Sequence, residues 1–181
     1  MTMVTYSYAS LLYFINKYQL RVKQMNKWIS ILQNNDYLSA KKHIKNGAKM
    51  NSRTESGESV LAYALKSRVD QDMLELLLDN GAELFYSDDE GVSILDFAVT
   101  YNNMFMIEKL LDEGKDVNEV TRTSGFTPLM AAVCYGRYEI FSKLLEAGAD
   151  INAAERKGMT ALDFARKMRK TSMVKRLEDL S

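Results

Sequence analysis

The stretch Gly125-Phe-Thr-Pro-Leu-Met-Ala-Ala132 decides the fold, because three further segments repeat its pattern along the chain. They begin at Gly57, Gly91 and Gly158, so the successive glycines are 34, 34 and 33 residues apart. A second glycine recurs in the same register at residues 47, 81, 114 and 148, with spacings of 34, 33 and 34. Two landmarks that share one period indicate an internal structural repeat.

Each repeat carries the signals of two helices. A hydroxyl residue stands two positions after each glycine of the first set and predicts a helix N-cap at Ser59, Ser93, Thr127 and Thr160. The residues expected to face the core follow at fixed distances: Leu61, Leu95, Leu129, Leu162, Ala64, Ala98, Ala132 and Ala165. A second helix ends in paired leucines followed by Gly81, Gly114 or Gly148, and glycine suits the left-handed conformation that ends a helix.

This pattern closely resembles the ankyrin repeat, whose core reads Gly-x-Thr-Pro-Leu-His-x-Ala and then Leu-Leu-x-x-Gly-Ala-Asp-x-Asn. Thr127-Pro-Leu129 and Glu146-Ala-Gly-Ala-Asp-Ile-Asn152 match it almost residue for residue. The predicted fold class is therefore all-α, a solenoid of stacked helix–turn–helix units with β-turn tips, preceded by an N-terminal amphipathic helix. The resemblance predicts a degenerate first repeat at 34–53, three full repeats within 54–154 and a truncated capping repeat at 155–181.

The chain departs from the family pattern in two ways. The histidine of the core pattern, which braces adjacent turns in the family, is replaced by Ala62, Asp96, Met130 and Asp163. We expect the two aspartates to replace its hydrogen bonds in part. One extra residue within 67–71 and another within 120–124 predict a local bulge at each place, without a break in the stack.

Residues 1–33 are predicted to form an amphipathic helical segment that caps the first repeat. Its apolar face recurs at three- and four-residue steps: Leu11, Phe14, Ile15, Tyr18, Val22, Met25, Ile29 and Leu32. The uncharged run at 9–15 lacks the flanking features of a secretory signal and is too short to cross a bilayer. Two alternatives for residues 1–24 remain, a free arm or an extension before a start at Met25.

Composition argues against several classes of function. The 181 residues include 24 Lys and Arg against 24 Asp and Glu, so the net charge does not point to nucleic acid. A single cysteine, Cys134, and a single histidine, His43, exclude an internal disulfide, a cysteine zinc cage and a multi-histidine site. Phosphate-binding glycine loops and nucleophile elbows are absent. We therefore expect no catalytic residue, no metal, no cofactor and a reduced, cytoplasmic protein.

The resemblance implies a protein-binding surface formed by the tips and the exposed face of each first helix. The positions that match it are Glu58, Asp89, Glu90, Val92, Tyr101, Phe126, Tyr135, Arg156, Lys157, Met159 and Lys167. The aromatic residues would form its centre, with acidic residues on one side and basic residues on the other. A partner with the opposite charge order would be oriented by this gradient. The alternative is that the aromatic rings only pack against adjacent repeats.

The predicted function is a non-enzymatic protein–protein interaction module that binds a folded partner in the concave ankyrin groove. Such a module acts as an adaptor, an inhibitor or an accessory subunit, and we expect it to be a monomer on its own that binds neither nucleic acid nor membrane. A microbial effector acting on host proteins is the alternative within this class. An enzyme or cofactor-binding protein with an unrecognised site is the least favoured reading.

Overall fold

The computed structural model describes residues 23–181, within which ten helices follow one another in chain order. The described part of α1 comprises residues 23–33. The other helices are α2 (Tyr37–Lys45), α3 (Val60–Ser67), α4 (Gln71–Asp79), α5 (Ile94–Tyr101), α6 (Met104–Asp112), α7 (Pro128–Tyr135), α8 (Tyr138–Glu146), α9 (Ala161–Lys167) and α10 (Thr171–Glu178). None of the helices in this range has the length and apolarity needed to span a membrane.

The chain forms two compact units, the first ending at Glu83 and the second comprising Leu84–Ser181. In the first unit, α1 buries Met25, Trp28, Ile31 and Leu32, whereas Ile29 on the predicted apolar face is half-buried. The amides of Asn35 and Asp36 donate to the carbonyls of Leu32 and Ile31. The same pair of bonds ends α3, so the described part of α1 ends like the first helix of a repeat.

The N-terminal part of the predicted capping helix, residues 1–22, lies outside the described residues. The boundary predicted at residue 33 and the assignment of residues 1–24 as cap, arm or extension stay predictions.

In the second unit, α5, α7 and α9 pack side by side, and α6, α8 and α10 each pack against the helix that precedes them. The predicted caps are confirmed, because the side chains of Ser59, Ser93, Thr127 and Thr160 each accept a hydrogen bond from the third residue of the helix that follows. These bonds satisfy amides that have no partner within the helix. The caps therefore fix where each first helix begins.

The core follows the repeat with one exception. Leu61, Leu95 and Leu129 are buried as predicted, but Leu162 is half-buried. The difference follows from position, because α7 is covered on both sides by α5 and α9, whereas among the described residues α9 packs mainly against α7 and α10. An outward-facing leucine of the last repeat therefore keeps part of its surface in water.

The same end of the second unit carries charge where inner repeats carry apolar side chains. Arg166 and Glu178 stand one period after Val133 and Leu145, and their side chains form an ion pair of 2.7 Å. Val133 is fully buried, whereas Arg166 and Glu178 are exposed. A polar outer face is what keeps a terminal repeat soluble.

Each of the two predicted insertions changes the local backbone structure. Between α3 and α4 three residues separate the helices where two separate α5 from α6, and the additional residue, Val69, is buried. The second insertion lies at one of the tips, the one at 121–127. We define the tips as residues 53–59, 87–93, 121–127 and 154–160. The first, second and fourth tips are closed by a single β-bridge between their end residues. Among the described residues no such bridge joins Thr121 to Thr127, so the tip at 121–127 is irregular.

Candidate functional site

The aromatic residues predicted to bind a partner lie at the ends of two neighbouring helices. Tyr101 is the last residue of α5 and Tyr135 the last residue of α7, and these two helices pack together. The Tyr135 side chain is 50% exposed, whereas Tyr101 is half-buried and stacks on Phe97 with a ring-centre distance of 6.3 Å. Tyr135 therefore offers the larger free aromatic surface.

The next helix, α9, also has a large side chain at the equivalent position. Lys167 is the last residue of α9, and Met168 follows it at the position equivalent to Tyr101 and Tyr135. Met168 is 45% exposed and Lys167 is also exposed. Three stacked helices thus carry large, partly exposed side chains at one equivalent position, which we call the helix-end row: Tyr101, Tyr135 and Met168.

Phe126 is placed differently from the other two predicted aromatic residues. Its ring is half-buried and meets the Phe164 ring edge-on, with 5.3 Å between the ring centres. The Arg122 guanidinium lies 5.8 Å from the centre of the Phe126 ring on the same tip. Most of this ring is used for packing between repeats, which was the alternative reading of the aromatic residues.

The acidic side of the predicted surface lies on the tip at 87–93. Asp89 and Glu90 are exposed at its turn, and Val92 is half-buried. Asp88 holds this turn, because its Oδ1 accepts hydrogen bonds from the amides of Glu90 and Val92 at 3.0 and 2.8 Å. The two acidic side chains are thereby presented to solvent on a fixed backbone.

The basic side lies on the tip at 154–160. Arg156 and Lys157 are exposed there, and Met159 is half-buried. Glu155 holds this turn as Asp88 holds the other, since its Oε1 accepts hydrogen bonds from the amides of Lys157 and Met159. The Arg156 amide also donates to the Ser124 carbonyl at 2.9 Å, which joins this tip to the irregular one.

Glu58 is the one predicted site residue that lies in the first unit. Its Oε1 is 2.7 Å from the Nζ of Lys66, and its side chain is only 12% exposed. This ion pair already uses the carboxylate within the unit, so Glu58 is less available to a partner than Asp89 and Glu90.

The partner of Asp96 could not be identified from the sequence. The Asp96 Oδ2 accepts from the amide and hydroxyl of Ser93, which completes a capping box. Its Oδ1 lies 3.3 Å from a terminal nitrogen of Arg122 on the following tip. Asp96 therefore contacts the neighbouring tip through an ion pair and not through the expected hydrogen bond, because its Oδ1 has no hydrogen-bond partner among the described residues. Asp163 is bonded only to Thr160 of its own cap in the described contacts.

Arg122 also explains why the tip at 121–127 is irregular. The equivalent residues Thr54, Asp88 and Glu155 each accept the amide of the residue four positions later. Arginine has no acceptor. The Phe126 amide donates instead to the Ser124 hydroxyl, at 3.3 Å.

Burial shifts the pKa values of the single cysteine and the single histidine of the chain. Burial raises the pKa of the Cys134 thiol and outweighs the nearby Lys167 and Lys170, so less of the nucleophilic thiolate forms. Burial, and then Lys27, lower the pKa of His43, whose ring packs edge-on against Trp28 at 4.9 Å. Residues 23–181 contain no group of three or more His, Cys, Asp or Glu side chains placed to hold a metal ion.

Comparison with known families agrees with the repeat geometry. A profile of ankyrin repeats, in three copies, matches residues 28–121, 72–155 and 95–179. The chain belongs to the ankyrin repeat family. The first ankyrin match begins at Trp28, within α1, and therefore includes the helix that ends like the first helix of a repeat.

Ankyrin repeats are generally protein–protein interaction modules and typically have no enzymatic activity. A search of the curated proteins gave no significant match, so no individual ankyrin repeat protein supplies a partner by similarity. A shared fold does not determine what is bound, so the partner specificity of this chain depends on its surface residues.

Proposed function

We propose that this ankyrin repeat protein is a non-enzymatic adaptor, inhibitor or accessory subunit that binds a folded partner protein. The binding surface is the concave groove, formed in the second unit by the helix-end row and the adjoining tips. The observation that carries the proposal is the half-exposed Tyr135, flanked by Tyr101 and Met168 at equivalent positions on packed helices. Tyrosine buries a large, rigid area and is enriched among residues that dominate binding energy.

The charges at the two ends of this surface support a directional mode of binding. Asp89 and Glu90 lie on the tip before α5, and Arg156 and Lys157 lie on the tip before α9. A partner that offers basic groups to the first tip and acidic groups to the second is attracted in one orientation and repelled in the reverse one. Val92, Met159 and Phe126 contribute half-buried apolar surface between the tips and the helices.

The experiment compares Tyr135→Ala with Tyr138→Ala in an affinity purification from cells that express the protein, followed by mass spectrometry. Tyr138 is a matched control, because it is an equally large ring, 45% exposed, at the start of α8 and outside the helix-end row. A protein that is retained by the wild type and by Tyr138→Ala but lost by Tyr135→Ala is the expected result. An identical set of proteins on all three baits contradicts the proposed surface.

A second comparison tests the charge order once a partner has been found. Reversing both tips together, with Asp89→Lys and Glu90→Lys combined with Arg156→Glu and Lys157→Glu, leaves the net charge of the chain unchanged. We expect slower association and weaker dependence on ionic strength, because rim charges act mainly on the association rate. Unchanged kinetics would remove the charge gradient from the proposal.

A further inference from the structure

Asparagine side chains link successive outer turns, which we define as the residues between the glycine that ends a second helix and the next tip. The Asn118 amide nitrogen donates to the Gly148 carbonyl at 3.0 Å, and its Oδ1 accepts from the Asp150 amide at 2.8 Å. Asn51, at the same position in the first unit, accepts from the Glu83 amide at 3.3 Å. Each bond ties one outer turn to the next.

Phe85 occupies this asparagine position in the second unit. It stands four residues after Gly81, as Asn51 stands after Gly47 and Asn118 after Gly114. A phenyl ring has no donor or acceptor, so the bonds that an asparagine would make to the Gly114 carbonyl and the Asp116 amide are missing. The ring is also 60% exposed. Lost hydrogen bonds and an exposed aromatic ring are both unfavourable for folding.

A second apolar side chain stands in the following outer turn. Val120 is 40% exposed and lies within the insertion that makes the tip at 121–127 irregular. Counted back from the tip, the corresponding residues of the neighbouring repeats are Tyr86, which is buried, and Ala153, which is smaller. Two consecutive outer turns of one unit therefore expose apolar side chains, Phe85 in the first and Val120 in the second.

The sequence stretch that contains both residues is acidic. Residues 84–120 contain nine acidic residues and two lysines, a net charge of −7. Both lysines pair within the stretch, Lys109 with Glu113 and Lys115 with Glu119. Two more of its acidic residues pair with cations outside it, Asp96 with Arg122 and Glu108 with Lys143, and the remaining acidic residues leave it negative. This potential repels phosphate groups, and it attracts basic groups around an apolar anchor.

We propose that Phe85 anchors a second interaction surface, the outer-turn surface of Phe85 and Val120, which binds a basic segment of a partner protein through a large apolar side chain. The surface uses different residues from the helix-end row and does not depend on binding there. The complementary charge selects a basic protein segment over nucleic acid or an anionic membrane. The exchange of a structural asparagine for an exposed ring is then a loss of stability that is offset by binding.

The test selects a random peptide library displayed on phage against the wild-type protein and compares the bound clones on two variants. Phe85→Asn restores the asparagine, and Leu38→Asn removes another exposed apolar side chain, 78% exposed on α2, as the control. We expect clones that carry net positive charge and a large apolar residue. They should bind Leu38→Asn normally and Phe85→Asn at least about tenfold more weakly, a loss typical of an interface anchor.

Thermal unfolding followed by circular dichroism separates this role from packing. Phe85→Asn should raise the melting temperature by about 2–4 °C, because it restores hydrogen bonds between outer turns. A lower melting temperature would show that the ring stabilises the fold and would overturn the proposal. So would the absence of clones that depend on Phe85, or dependent clones that are acidic.

Discussion

The guanidinium of Arg122 lies 3.3 Å from the Oδ1 of Asp96, and the Asp96 side chain is only 5% exposed. Asp96 is the third residue of α5 and forms a capping box with Ser93, and Arg122 belongs to the tip that leads into α7. One ion pair thus joins a helix start in one repeat to the irregular tip of the next. This tip is the one for which no β-bridge is found among the described residues.

Replacing Arg122 with methionine is expected to destabilise the protein by about 1–3 kcal/mol, because it leaves the buried Asp96 charge without a counter-ion. The loss is at the lower end for buried pairs, since 22% of the Arg122 side chain is exposed. Urea unfolding measures the change, and Arg156→Met on the next tip is the control with an exposed arginine.

A double-mutant cycle isolates the pair itself. Arg122→Met should cost less in an Asp96→Asn background, because a neutral amide needs no counter-ion. Equal costs in the two backgrounds would mean that the ion pair contributes nothing and that Arg122 acts only through its contact with Phe126.

The two glycines at 91 and 148 provide a matched pair for testing tip contacts. Both have a positive φ, +78° and +85°. A methyl group added to Gly91 would lie 2.3 Å from the Thr121 carbonyl oxygen, whereas one added to Gly148 meets nothing within 4 Å. We expect Gly148→Ala to cost about 1 kcal/mol from the backbone conformation alone, and Gly91→Ala clearly more.

Gly148→Val extends this series, since a β-branched side chain resists positive φ more strongly than alanine does. Chemical unfolding of the three variants gives the order directly. If Gly91→Ala were no more costly than Gly148→Ala, the close approach of residues 91 and 121 would not exist in solution.

His43 makes the stability of the first unit depend on pH. Burial and Lys27 lower its pKa below the ordinary value of 6.5, so the folded chain binds a proton less readily than the unfolded chain. The stabilisation is complete above pH 6.5 and is lost as the pH falls from there through the lowered folded-state value. The unfolding free energy should therefore be smaller at pH 5.5 than at pH 7.5.

His43→Phe is expected to abolish most of this difference while keeping an edge-on ring against Trp28. Asp36 and Asp163 do not interfere, because their hydrogen bonds to Ser39 and Thr160 lower pKa values that already lie below this range. A variant with the full pH dependence of the wild type would assign the effect to another group.

The ion pair between Arg166 and Glu178 is expected to prevent association through the end of the second unit. Replacing the pair with valine and leucine, the residues found one period earlier at 133 and 145, creates an apolar end. We expect this double variant to self-associate with rising concentration in sedimentation velocity experiments, because apolar surface there is what repeats use to stack. Arg156→Val combined with Lys157→Leu is the control.

Continued monomeric behaviour of the Arg166→Val, Glu178→Leu protein at every concentration would show that charge at this end does not control association. Loss of folding is distinguished by circular dichroism, and the single Glu178→Leu variant then provides the milder comparison.

Local chemistry explains what could be predicted from the sequence. Ser93 and Thr127 were recognisable as caps because the bond joins residues three positions apart, and a hydroxyl at that spacing has one obvious role. The contact of Asp96 with Arg122 spans two repeats across an insertion, so sequence periodicity predicted a brace and could not name its partner. Leu162 has the pattern of a core residue, and its exposure depends on what packs beside α9.

The candidate site was harder to predict, because sequence periodicity predicts where a residue lies in the repeat and not which side chains surround it. Tyr101 and Tyr135 hold the same register, yet a phenylalanine four residues earlier covers the first and an alanine stands there before the second. Phe85 was detectable in principle, since it breaks the asparagine pattern set by Asn51 and Asn118. The prediction that the acidic and basic tips form one partner surface is a proposal that binding experiments have to test.

Trp28 is the only tryptophan of the chain, and it is fully buried in the first unit, where its indole donates to the Lys49 carbonyl at 3.2 Å. Intrinsic tryptophan emission therefore reports on one half of the solenoid, while far-ultraviolet ellipticity reports on all of its helices. Melting curves from the two signals coincide only if both halves unfold together, as a chain of repeats does when nearest-neighbour coupling is strong. Comparing Trp28 fluorescence with circular dichroism therefore shows whether unfolding is cooperative along the whole protein.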